Sequence, residues 1–131
     1  MRKFVVVNIV IIFLFLVGIC IVEDMVVTSG VNEVNEACIS IEEMLDGRES
    51  LKYMDIVMAV ENLEYRWKKN ESKMCYMVNH KNIQEIGAEI SKLKGYLDND
   101  EFNDFESSLD AIKFYSHSYL HFMGASLHNF L

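Results

Sequence analysis

Residues 83–97 read Ile83-Gln84-Glu85-Ile86-Gly87-Ala88-Glu89-Ile90-Ser91-Lys92-Leu93-Lys94-Gly95-Tyr96-Leu97. Ile83, Ile86, Ile90, Leu93 and Leu97 recur at spacings of three and four. That rhythm puts them on one face of a helix and leaves the charged side chains on the other. Three more runs keep the same rhythm. Upstream are Val31, Val34, Cys38, Ile41 and Leu45. Next come Tyr53, Ile56, Val60, Leu63 and Trp67, followed past polar Asn70 and Glu71 by Met74 and Val78. Downstream are Phe102, Phe105, Leu109, Ile112, Ser116, Tyr119, Met123, Leu127 and Phe130. No strand-like alternation of useful length competes. The chain has no proline, so nothing forces a helix to break.

Short breaks separate the runs. Gly47 stands where a C′ glycine ends a helix, because glycine tolerates the left-handed conformation there. Asn79-His80 divides the second run from the third. Asp98-Asn99-Asp100-Glu101 divides the third from the fourth, with Asp100 as the expected N-cap. The expected helices are about 23–46, 51–78, 82–98 and 101–128. Connections this short make neighbours antiparallel. The predicted class is all-α: an N-terminal transmembrane helix continuing into an antiparallel up-down bundle. Thr28-Ser29-Gly30 is the one weak step, and packing is expected to carry the helix through it. At 1.5 Å per residue the second helix is about 42 Å long and the third about 25 Å. The third then ends level with residues 60–62. The fourth runs back past the tip of the second near Tyr119 or Leu120. Residues 122–131 are expected to pack on the helix around residues 20–30 or to enter the membrane interface. The same alignment sets Arg66, Lys68, Lys69 and Lys73 level with Asp104, Glu106 and Asp110.

Ahead of the bundle, Phe4–Val22 is a nineteen-residue stretch whose only strongly polar member is Asn8. That is at the short end of what spans a bilayer as a helix. A cleaved signal would have a shorter apolar core and a small-x-small site. Val27-Thr28-Ser29 is a poor substitute, beyond Glu23-Asp24. Lipidation at Cys20 would need a small residue where Ile19 stands. The reading is therefore residues 1–22 as basic tip and uncleaved anchor, and residues 23–131 as the bundle. Arg2 and Lys3 precede the span and Glu23 and Asp24 follow it. This predicts a single-pass cell-membrane protein, N-terminus cytoplasmic and bundle extracytoplasmic.

Charge narrows the partners. The chain carries −8. Arg2 and Lys3 supply +2 of that total, so residues 23–131 carry −10. Such a surface repels phosphate backbones and anionic lipid, which argues against nucleic acid. Cys38 and Cys75 remain outside the span. They can pair, or Cys38 can serve as a small buried hydrophobe of the seam.

Chemistry-bearing patterns are few. His117, His121 and His128 fall within about 40° of one another at 100° per residue, on the face opposite the seam with Asp110 and Phe114. An i,i+4 imidazole pair can chelate zinc or copper, but no third ligand is clearly placed. Asp98–Asp104 lacks the glycine and terminal glutamate of a calcium loop. Cys75 and His80 have no third catalytic member. No Walker, nucleophile-elbow or dinucleotide glycine pattern occurs. No enzyme, cofactor or resident metal is expected.

The chain resembles DUF4363, a family of small bacterial proteins of unknown function best represented among clostridia. The resemblance rests on Trp67, on Val78-Asn79-His80 with Ile83 and Ile86, on Leu93-x-x-Tyr96-Leu97, and on Leu127-His128-Asn129-Phe130-Leu131. It implies one N-terminal membrane helix and a helical extracytoplasmic region, and carries no functional residues with it. Gly87, Gly95 and the Thr28-Ser29-Gly30 step depart from the pattern. The function expected from the residues is a non-enzymatic interaction module. It would offer a bundle face or open groove to a membrane or envelope protein, or to a second copy. Candidate contacts are Met54, Met58, Phe114, Phe122 and Phe130. The alternative is a metal- or pH-responsive sensor built on His117, His121 and His128.

Overall fold

The computed structural model describes residues 1–74 and 81–130, with residues 122–130 described by backbone alone. Among these residues there are four helices and no strand: α1 (Arg2–Leu45), α2 (Met54–Met74), α3 (Lys81–Asn99) and α4 (Phe102–Phe130). Each helix packs on the next, and α4 closes the ring on α1. α1 faces α3, and α2 faces α4, across the diagonals.

The heptad seams line this ring. Val31, Val34, Cys38, Ile41 and Leu45 of α1 are buried, as are all five apolar seam residues of α3. α2 contributes Ile56, Val60, Leu63, Trp67 and Met74, and α4 contributes Phe105, Leu109, Ile112 and Tyr119. Val27 extends the α1 seam one step closer to the apolar segment. Each large aliphatic or aromatic side chain buried this way contributes about 1.5–3 kcal/mol. Two serines of α4 are also buried, Ser116 in the seam and Ser108 beside it. Ser108 donates from Oγ to the Glu89 carbonyl at 3.0 Å, which ties α4 to α3.

α1 is one unbroken helix from Arg2 through the Thr28-Ser29-Gly30 step. The glycine is there for packing. A Cβ on Gly30 would lie 3.4 Å from the Met74 sulfur, so α2 approaches α1 closely at this level. The helix ends at Leu45, and Gly47 takes φ +71° just beyond.

Three expectations need correction. First, α2 begins at Met54, not at residue 51. Leu51 is fully buried but reaches the core from the connection, whereas Tyr53 is half exposed. The Tyr53 carbonyl accepts the opening hydrogen bond of the helix, from Val57 N–H at 3.1 Å. Second, Asp100 does not cap α4. It follows α3 in the left-handed region, φ 57°. Its N–H donates to the Leu97 carbonyl at 3.2 Å, and the Glu101 N–H donates to the Tyr96 carbonyl at 2.9 Å. These are the paired bonds of a Schellman end. Glu101 precedes α4, its carbonyl accepting from Phe105 N–H at 2.9 Å. Third, the cations of α2 do not meet the acids of α4, because the two helices are diagonal. Arg66 pairs instead with Glu33 of α1 at 2.7 Å, and Lys94 of α3 pairs with Glu64 of α2 at 2.9 Å. The expected Asn79-His80 turn lies outside the described residues.

The Asp100 carboxylate is spent on the neighbouring connection. It accepts from the Leu51 N–H at 2.7 Å and from Ser50 Oγ at 3.1 Å. The two turns at this end of the bundle are thereby tied together. The Leu51 hydrogen bond above all, with help from Ser50, holds the Asp100 carboxyl below the usual carboxylate range. A carboxyl whose folded value is depressed adds stability above its unfolded value of about 3.9, and that stability is lost as pH falls through the folded value. Asp100→Asn keeps a residue tolerant of the left-handed region but removes the charge. The expected result is a lower unfolding midpoint at neutral pH, with the gap to wild type closing on acidification below about pH 4. Urea unfolding across pH measures it.

Candidate interaction surface

Core packing dictates what remains outside. On α2, Met54, Met58 and Tyr65 are 72%, 62% and 68% exposed. Spacings of four and seven put them within about 40° of one another, so they form one stripe along the outer face. Tyr65 was absent from the sequence-level candidates. A step of two turns, seven residues on from Met58, would have found it. Beside the start of this stripe, Arg48 grips Asp55 with two hydrogen bonds, 2.6 and 2.8 Å, and lies 4.5 Å over the Tyr53 ring.

Phe114 is 66% exposed and meets Tyr115 edge-on at 5.7 Å. It belongs to α4, diagonal to α2, so it does not join the Met54–Met58–Tyr65 stripe. The candidates therefore divide between two sides of the bundle. The side chains of Phe122 and Phe130 lie outside the described residues.

The histidines do not build a metal site among the described residues. His117 and His121 are exposed on α4. Asp110, on the same face, is engaged by Lys113 at 3.0 Å, and Lys113 also reaches Glu42 of α1 at 2.5 Å. No group of three His, Cys, Asp or Glu among the described residues comes together to hold an ion. The His128 side chain is outside the description. So are Cys75 and His80. Cys38 is fully buried, and burial pushes its thiol up to about 12, outweighing the pull of Lys113. A thiol held so far above neutrality is not an activated nucleophile.

A cleft of about 220 Å³ between α2 and α3 includes Glu64, Trp67, Glu71, Gln84 and Gly87. Trp67 is 2% exposed, and its Nε1 has no hydrogen-bond acceptor among the described residues. Above the indole, Lys68 and Lys94 both donate to Glu64 and hold its carboxyl below the usual range. The ion pairs and the indole use the cleft to join α2 to α3.

A family model described as a domain of unknown function, DUF4363, matches residues 28–129. The chain belongs to the DUF4363 family. No curated protein and no solved structure matches it. The DUF4363 match begins at Thr28, inside α1, so it covers the bundle and leaves out Phe4–Val22. That apolar part of α1 is long and apolar enough to cross a membrane, and no residue of Phe4–Val22 is buried against the rest of the chain. It is compatible with a membrane anchor. The DUF4363 region is the part with a core.

Proposed function

We propose that this chain is a single-pass, membrane-anchored and non-enzymatic interaction module. Its N-terminus is cytoplasmic, its bundle is extracytoplasmic, and the bundle presents the outer face of α2 to a membrane or envelope protein. One observation carries the reading: the apolar segment and the first seam of the bundle are a single helix, Arg2–Leu45. A bundle built on that helix is held at a fixed distance and orientation from the bilayer rather than on a loose tether. The flanks support the orientation, with Arg2 and Lys3 before the span and Glu23 and Asp24 after it. The stripe of Met54, Met58 and Tyr65 supplies adaptable and aromatic contacts of the kind enriched at interfaces.

The test is a photo-crosslinking residue placed at Met58 and read in native membranes. The reading expects one heavier adduct, distinct from a dimer of this chain, that disappears in the Tyr65→Glu background. A dimer adduct would replace the partner by a second copy. Capture unaffected by Tyr65→Glu, or no capture, would contradict the stripe as the contact.

A further inference from the structure

We propose that the last turns of α4, residues 120–130, make a second contact with the bilayer by entering the headgroup and acyl-chain boundary beside α1. This rests on the anchored reading above and names a further surface with its partner: lipid.

The exposed face of α4 changes character along its length. Before Lys113 it carries Asn103, Asp104, Glu106, Ser107 and Asp110. After Lys113 the exposed residues are Phe114, His117 and His121. From Phe114 to Leu131, eighteen residues pass without an Asp, Glu, Lys or Arg. Phe4–Val22 is the only other charge-free run of comparable length, in a chain that is 24% charged. The acidic residues of α4 are thus confined to the part of that helix remote from the span.

Register places the charge-free end at membrane level. Phe102 and Leu45 line one cleft at the far end, and Lys113 meets Glu42 lower down. Further on, Tyr119 is buried, and the Asp24 charge adds to the effect of burial in raising its phenol. Asp24 stands two residues after Val22. α4 continues as helix to Phe130, eleven residues and about 16 Å beyond Tyr119. Being antiparallel to α1, it descends alongside the end of the apolar segment. A helix at that level meets acyl chains, and an acidic one would be repelled by anionic headgroups. Leu120, Phe122, Met123, Ala125, Leu127 and Phe130 supply apolar residues to this stretch of helix, without a single charge among them.

The test uses full-length Phe130→Trp in phosphatidylcholine vesicles, with and without brominated acyl chains. Trp67, the one native tryptophan, is the internal reference. It sits next to Arg66, whose partner Glu33 is nine residues beyond Asp24, or about 14 Å farther from the membrane. Vesicle flotation reports the anchor separately. The expected result is flotation, a blue shift in the added emission, and loss of that emission in bromolipid while wild type keeps its own. Phe122→Trp should behave alike and guards against a local effect of one substitution. Flotation with unquenched added emission in both variants would overturn the second contact and leave the anchor standing. Failure to float would overturn the anchored reading itself, and this inference with it.

Discussion

Phe105→Ala lowers the stability of the bundle by about 3–5 kcal/mol. Phe105 heads the fully buried side chains by size, with none of its surface exposed. It lies in the α4 seam, and α4 packs on both α3 and α1. Removing the ring loses its transfer free energy and leaves a cavity that a closed four-helix ring refills poorly. Against a total of about 5–15 kcal/mol for an ordinary domain, that is a large share. Phe114→Ala on the same helix is the control. Phe114 is 66% exposed, so its removal stays within about 0.5 kcal/mol. Urea unfolding of both variants, followed by circular dichroism in detergent, gives the comparison. Equal losses would mean that α4 is rotated from the orientation described.

Two glycines of α3 are expected to respond with opposite signs. A Cβ on Gly87 would stand 3.0 Å from Trp67 Nε1 and 3.3 Å from Glu71 Oε1. The carboxylate is the end of a flexible side chain and can move. The indole, packed at 2% exposure, cannot. Gly87→Val therefore costs about 1–3 kcal/mol through overpacking. A Cβ on Gly95 meets nothing within 4 Å. Gly95→Ala should stabilise the bundle by about 0.4–1 kcal/mol, through helix propensity and a less free unfolded chain. Propensity alone would make both glycines unfavourable. The difference in sign isolates the Trp67–Gly87 approach, and thermal unfolding of the two variants reads it.

Much of the fold was legible because a bundle core repeats. The apolar spacing alone located every apolar seam residue of α3 and the α1 seam from Val31 to Leu45. What periodicity does not see is where the chain leaves a helix while its side chains stay in the core. Leu51 is buried from a connection, and Tyr53 continues the rhythm yet is half exposed. Asp100 was read as a cap because aspartate suits an N-cap. The same small polar residue also tolerates the left-handed turn that it occupies, and sequence does not separate the two roles. Helix lengths speak to level along the bundle but not to which helices adjoin. That is why the α2 cations were matched to the acids of diagonal α4. Of the surface, Met54, Met58 and Phe114 were correctly read as exposed. That they lie on different sides of the ring follows only from its closure.

The anchor proposed above is an uncleaved helix that passes through the membrane and carries the bundle on the outside. Its most direct test is protease added to intact cells stripped of their wall, followed by detection of both ends of the chain. The expected result is a degraded bundle and a fragment containing residues 1–22 that stays with the membrane. Full protection of the bundle in sealed cells, or a membrane fraction lacking residues 1–22, would contradict it.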